Sequence, residues 1–259
     1  AKATVRQSLV LVTILGVVVS IGGYLLSPAI VRFMRAEPDV YPMSVSYLQI
    51  VSLGWLFTTI SLNIGAILRG SGDTMTPMRY NLFSNLLNVF GNYVFIYGKF
   101  GFPAMGVAGA ALSTTLCRGV AAFLALRAIF NKKNIIGVSL KDDYRIDKNL
   151  LERLISIGLP SAMEQFLLRL GQVIFSRAVA GLGTAVYAAH QTAVNISSLT
   201  FTPGQAFGMA ATTMVGQSLG ANHPDVAEKA GLAARRMGLI IALAIAIVLF
   251  FFGYDVALL

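Results

Sequence analysis

Long apolar runs separated by short polar ones set the pattern of this chain. Stretches of about 20 predominantly apolar residues, the length that crosses a bilayer as a helix, occur at about 7–31, 44–68, 77–98, 104–130, 154–180, 184–215 and 233–257. No ten-residue alternation of the kind a membrane β-strand needs is present, so the backbone must satisfy itself within helices. The expected fold is all-α, a polytopic transmembrane helical bundle. The first run is long and ends "LLSPAIVRFM", without the small-residue cleavage site of a secretory leader.

The longest polar segment, "NKKNIIGVSLKDDYRIDKNLLERLISIGLP" (131–160), divides four runs from three. It predicts three parts: residues 1–130 with four transmembrane helices, a cytoplasmic linker over 131–153, and residues 154–259 with three more. Within it Ile146, Leu150, Leu151, Leu154 and Ile157 recur at a helical period, with Asp, Lys, Glu and Arg opposite. That pattern predicts a short interfacial helix on the cytoplasmic surface, ending where Gly158 and Pro160 turn the chain into the membrane.

Polar residues inside the apolar runs carry the candidate chemistry. In "NLFSNLLNVFGN" (81–92), Asn81, Asn85, Asn88 and Asn92 fall at spacings of four, three and four, within an arc of roughly 60° on a helix. Each such asparagine either bonds a neighbouring helix, at about 0.6–2 kcal/mol, or lines a polar cavity. The first role suits Asn81 and Asn85, and the second suits the deeper Asn88 and Asn92. Glu164 is the only carboxylate well inside a run. A charge there costs roughly 2.5–3.5 kcal/mol on insertion scales, so Glu164 is either a cation- or proton-coupling group or an ion-paired anchor. Arg169, five residues on, is poorly placed to pair with it along one helix.

Gln165 and Gln172 share a face, and Gln191 and Asn195 repeat an i, i+4 arrangement on the next run. Together with Glu164 they either line a cavity or bond between helices. His190 beside them reads as a hydrogen-bonding spacer. Pro203 predicts a kink, hinge or not. The pairs Gly204/Gly208 and Gly216/Gly220 predict close helix approach.

Composition sharpens the picture. Hydrophobic residues make up 56% and charged residues 12%, about half the charged share of a soluble domain. The net charge of +9 is explained by topology: Lys2, Arg6, Arg69, Arg79, Arg127, Lys132 and most other basic residues fall on one side of the predicted bundle. By the positive-inside rule that side, with the N-terminus, is cytoplasmic, and nucleic acid is not a partner. Cys117 is the single cysteine, so there is no disulfide framework. No Ser-His-Asp set, paired carboxylates or H-E-x-x-H is present, and "LRGSGDT" and "VGQSLGAN" lack the Gly-Lys-Ser/Thr of a nucleotide loop. They are read as loops, with Asp73 as a cap. The chain is not expected to be an enzyme.

"LRGSGDTMTPM" (68–78), the asparagine run ending "NYVFIYG" (92–98), "FGFPAMGVAGAALST" (100–114), "GLPSAMEQ" (158–165), "AAHQTAVNISSLTF" (188–201) and "VGQSLGAN" (215–222) resemble the multidrug and toxic compound extrusion family, the MATE transporters. The resemblance implies twelve helices in two pseudo-symmetric six-helix lobes, of which this chain matches the third to ninth. It implies organic-cation efflux by antiport against Na⁺ or H⁺ with no other cofactor, small amphipathic cationic substrates, and a place in the plasma (inner) membrane; the oligomeric state stays open, with a monomer favoured. The family's N-lobe cation site carries over to Asn88, Asn92 and Thr114, a Na⁺ site if it binds an ion. Asn92 stands where the family has an acid, and an amide cannot carry a proton. The family's C-lobe acid matches Glu164, or lies one turn on, where this chain has Leu168. Two alternatives stay open: a lipid-linked oligosaccharide flippase, which the cationic Arg118, Arg169 and Arg177 would suit, and a non-transporting structural membrane protein or fragment.

Overall fold

The structure, a computed structural model, describes residues 2–34, 39–131, 145 and 147–258. Among them are seven helices: α1 (Lys2–Phe33), α2 (Tyr41–Gly70), α3 (Met75–Tyr97), α4 (Gly106–Ile129), α5 (Lys148–Ala180), α6 (Thr184–Gly220) and α7 (Pro224–Leu258). All seven coincide with the apolar runs read from sequence. Four of them, α1, α2, α4 and α7, are long and apolar enough to cross a membrane. The other three fall short in composition, not length, because Asn, Gln and charged residues dilute them.

Local chemistry sets the helix ends. Pro42 opens α2, where a missing N–H costs nothing. Gly98 closes α3 in the left-handed region at φ 66°, a conformation a side chain would resist. Asp73 Oδ1 accepts the Thr76 N–H at 2.9 Å at the start of α3, and Asp147 Oδ1 accepts from Asn149 and Leu150 at 3.0 and 3.3 Å at the start of α5. Each supplies an acceptor to donors that the first helical turn leaves unpaired.

The predicted interfacial helix is not a separate element. From Lys148 onward the chain is one helix of 33 residues running through Gly158 and Pro160. The apolar period of 150–157 is simply the first turns of α5. Pro160 is accommodated inside it, as Pro203 is inside α6. Ile146 and residues 132–144 lie outside the described residues. "VGQSLG" is likewise the last turns of α6 and not a loop.

The chain divides into two compact units, Ala1–Glu152 and Arg153–Leu259. In the first, α1 packs on α2, α2 on α4, and α4 on α3, with a lighter contact between α2 and α3. Ile64, Leu68, Ala125 and Ile129 are fully buried at its core, joined by Leu9, Tyr80 and Ala121. Close approach depends on small residues. A Cβ on Gly23 would lie 2.6 Å from the Trp55 ring, one on Gly91 2.5 Å from Ser113 Oγ, and one on Gly109 would overlap the Phe95 carbonyl. In the second unit α6 packs on α7, where Ala227, Ala230 and Ala234 are buried. The predicted pairs at Gly204/Gly208 and Gly216/Gly220 have open space around them. The small-residue contacts lie instead at Gly231 and Gly238, against Val215 and Phe207.

Hydrogen bonds from Thr76, first from its hydroxyl and then from its backbone N–H, hold the Asp73 carboxyl below the usual carboxylate range. A depressed acid stabilises the fold above its unfolded value near pH 4, and that contribution is lost as pH falls through the lower folded value. Asp73→Ala is therefore expected to cost on the order of 1 kcal/mol at neutral pH. Thermal melting from pH 7 to pH 3 should show the gap between wild type and variant closing at the acid end.

Candidate functional site

Three consecutive hydroxyls on α4, Ser113, Thr114 and Thr115, organise the first unit's polar interior. Adjacent residues on a helix point about 100° apart, so one short run can address two neighbours. Thr115 Oγ1 donates to the Ile50 carbonyl of α2 at 3.1 Å. On the other side Asn88 Nδ2 of α3 donates to Ser113 Oγ at 3.3 Å and to Thr114 Oγ1 at 3.4 Å, while Ser113 Oγ donates to the Asn88 carbonyl at 3.3 Å. One turn lower, Ser84 Oγ donates to the Cys117 carbonyl at 2.7 Å. Cys117 itself is a buried free thiol.

Asn92 extends the cluster. Its Nδ2 donates to Asn88 Oδ1 at 3.3 Å, and its own Oδ1 is buried with no hydrogen-bond partner. A buried unpaired carbonyl costs on the order of 1–3 kcal/mol, an expense that a ligand able to donate to it, or a coordinated cation, would recover. Asn88, Asn92 and Thr114, named together from sequence, are thus brought together in space. Asn81 and Asn85 are exposed on the flank of α3. Ser113 is not among the residues singled out from sequence. The signal was the unbroken Ser-Thr-Thr run in the middle of an apolar helix.

The second unit's candidates form no bonded cluster among the described residues. Glu164, Gln165, Gln172, Gln191 and Asn195 are all exposed, and no hydrogen bond joins them to one another among the described residues. Gln172 Oε1 accepts from Arg169 at 3.0 Å, which gives that arginine a partner other than Glu164. His190 is half-buried and meets the Phe175 ring edge-on, centroids 5.2 Å apart. No group of three or more His, Cys, Asp or Glu side chains able to hold a metal occurs among the described residues. An open apolar cleft of about 440 Å³, lined by Ile30, Val31, Tyr47, Leu48 and Val107 among others, contains none of the predicted site residues.

The two asparagines should respond differently to an isosteric apolar change. Asn92→Leu removes an unpaired carbonyl and should leave stability unchanged or raise it. Asn88→Leu strips partners from Ser113 and Thr114 and should cost about 1–2 kcal/mol. Reversible denaturant titration of the purified protein in mixed micelles would check both.

The sequence model of the MatE family matches residues 1–94 and 160–259. The chain is 32% identical over 200 residues to the probable multidrug resistance protein NorM of Thermotoga maritima, covering 74% of this chain and 41% of that protein. It is 32% identical over 249 residues to the uncharacterized transporter YisQ of Bacillus subtilis, covering 92% and 54%. It spans about half the length of the curated relatives it matches. Among solved structures, the outward-facing conformation of a multidrug resistance MATE family transporter superposes with a TM-score of 0.86 at 26% identity, over 99% of this chain and 56% of that one. A MOP superfamily transporter from Pyrococcus furiosus, described with a binding pocket of reverse polarity, gives 0.88 at 26%, over 99% and 56%. These relatives are transporters and not enzymes. With the family's pattern spread over both units and its fold throughout, the chain belongs to the MatE family of multi-pass membrane transporters.

Proposed function

We propose that the protein exports small amphipathic molecules carrying a basic group, in exchange for Na⁺ or H⁺, by alternating access of its lobes. The observation that carries the proposal is the Asn88–Asn92–Thr114 cluster with its buried, unpaired Asn92 Oδ1, found in a family whose relatives are named for multidrug resistance.

The roles follow from what each group can do. Amide and hydroxyl oxygens accept from an N–H of a substrate or coordinate Na⁺, but they do not take up a proton near neutral pH. Proton coupling therefore has no seat at Asn92. Glu164, the only carboxylate well inside a membrane run, takes the coupling role, attracting either cation. Gln165, Gln172, Gln191 and Asn195 supply neutral polar lining. Coupling requires ion and substrate to bind the two access states unequally, since a ligand that favours neither state shifts nothing. The proposed setting is the inner membrane, with the N-terminal end of this chain cytoplasmic.

The test reconstitutes the full-length protein carrying this sequence in proteoliposomes and follows a fluorescent organic cation under imposed Na⁺ or pH gradients. Glu164→Gln is expected to lower gradient-driven efflux ten-fold or more. Asn92→Ala should lower it further under a Na⁺ gradient than under a pH gradient if the cluster holds Na⁺, and equally under both if it holds substrate. Efflux at the wild-type rate in both variants would return these residues to structural roles. Translocation of a lipid-linked sugar in place of the dye would make the protein a flippase.

A further inference from the structure

Helices α1 and α2 meet where the backbone of α2 is engaged from outside its own ladder. Leu56 lies at the middle of α2, and its N–H donates to Ser20 Oγ of α1 at 3.0 Å. A backbone N–H has one proton, and within a helix that proton ordinarily goes to the carbonyl four residues back, here that of Ser52. Ser20 and Ser52 therefore compete for one donor. A close approach of the two helices makes the competition possible. A Cβ on Gly16 would lie 2.6 Å from Thr59 Oγ1, and one on Gly23 would lie 2.8 Å from Ser52 Oγ. Ser20 is 5% exposed and Ser52 is 0% exposed.

The ladder around Leu56 is loaded with further hydroxyls. Ser52 Oγ donates to the Leu48 carbonyl at 2.6 Å, Thr58 Oγ1 to that of Gly54 at 3.0 Å and Thr59 Oγ1 to that of Leu56 at 2.9 Å. Hydroxyls that bond back to their own helix tend to bend it, and a side chain inserted in the ladder is a recognised cause of a kink. Thr115 of α4 donates to the Ile50 carbonyl at 3.1 Å, about 9 Å along α2 from Leu56. Thr114, next to it, accepts from Asn88 Nδ2. A run of hydrogen bonds thus crosses the first unit from α1 through α2 and α4 to α3, and Leu56 N–H is the link in it that can change acceptor.

We propose that Leu56 is a joint in α2 with two arrangements, bent when its N–H bonds Ser20 and straight when it bonds the Ser52 carbonyl, and that Ser20 is thereby a positioning residue for the Asn88–Asn92–Thr114 face. In the bent arrangement the half of α2 that carries Ile50 holds Thr115, and with it the hydroxyl run of α4, where Asn88 meets it. In the straight arrangement Ile50 shifts against α4 and the face loses its order. A two-state element of this kind is what lets a ligand bias one access state over another. The effect on the face rests on the export function proposed above, whereas the joint itself does not.

The test compares Ser20→Ala with Ser27→Ala in the full-length protein carrying this sequence. Ser27 lies on the same side of α1, but its hydroxyl donates to the Gly23 carbonyl of its own helix, so its loss controls for a merely structural effect. Nitroxide labels at Met43→Cys and Phe123→Cys, both exposed positions, report the N-terminal half of α2 against the C-terminal half of α4 by double electron–electron resonance in proteoliposomes. Cys117→Ala and replacement of any cysteine outside residues 1–259 leave these as the only labels. Met43 is about 20 Å from the joint, so releasing a kink of about 20° displaces it by roughly 7 Å. Ser20→Ala is expected to change the mean label distance by about 2 Å or more, and Ser27→Ala to leave it unchanged. In the dye-efflux assay Ser20→Ala should raise half-saturation about five-fold and keep the maximal rate within about two-fold. A label distance that Ser20→Ala does not move, or that Ser27→Ala moves equally, overturns the joint. A moved distance with unchanged half-saturation overturns the positioning role and leaves export standing. If wild type exports no dye the export function fails, and fluorescence polarisation of the same dye on the solubilised protein decides the positioning role: binding weakened by Ser20→Ala and not by Ser27→Ala supports it, and any other result overturns it.

Discussion

Inside a bilayer no water is available to satisfy a stray polar group, and the first unit meets that constraint with the Ser113–Thr114–Thr115 run of α4. These three hydroxyls bind α4 to α2 through the Ile50 carbonyl and to α3 through Asn88. Much else depends on that bracket. With it α3 lies so close that a Cβ on Gly109 would overlap the Phe95 carbonyl and one on Gly91 would crowd Ser113 Oγ, and it gives Asn88 two hydroxyl partners. Asn88 in turn holds Asn92, and the bracket sets the face of α4 on which Arg118 lies. Remove the hydroxyls and the polar interior loses both its tether and its order.

The same residues explain why only some helices read as strongly transmembrane. The three that fall short of the apolar composition of a membrane span are α3, α5 and α6, and these carry Asn88 and Asn92, Glu164 with Gln165 and Gln172, and Gln191 with Asn195. The helices that pass, α1, α2, α4 and α7, make most of the helix-on-helix packing. Polar groups cost insertion energy, so a helix that keeps several of them needs support from its neighbours. In the first unit α4 supplies that support to α3. In the second, the polar residues of α5 and α6 are exposed, and their chemistry belongs to the proposals and not to the packing.

Much of the fold was legible because hydrophobic periodicity over twenty residues is a strong signal, and each apolar run became a helix. The difference over 148–157 has a physical cause. An interfacial helix and the first turns of a spanning one share a 3.6-residue apolar period with charges opposite, and a proline that suggests a turn can be absorbed within a long helix, as Pro160 is in α5. The glycine pairs of α6 failed for a related reason: spacing shows that close approach is allowed, not that a neighbour is there. At the site, the i, i+4 spacing of Asn88 and Asn92 and the match at Thr114 were readable, and they do meet. That Asn92 Oδ1 would be left unpaired, or that Arg118 would lie on the packed face of α4, required knowing which way each helix turns.

The central claim is that the Asn88–Asn92–Thr114 face receives a ligand and is not merely an interhelical seam. It is tested most directly by thiol accessibility: Cys117→Ala leaves the carbonyl that Ser84 uses, and with any cysteine outside residues 1–259 likewise replaced, Asn92→Cys places the only thiol at the cluster. In intact membranes that thiol should react with a small, water-soluble methanethiosulfonate and be protected by exported dye in a concentration-dependent way. A thiol at position 92 that stays unreactive, or that reacts at the same rate with and without dye, would contradict the account and make the asparagine stripe a structural seam.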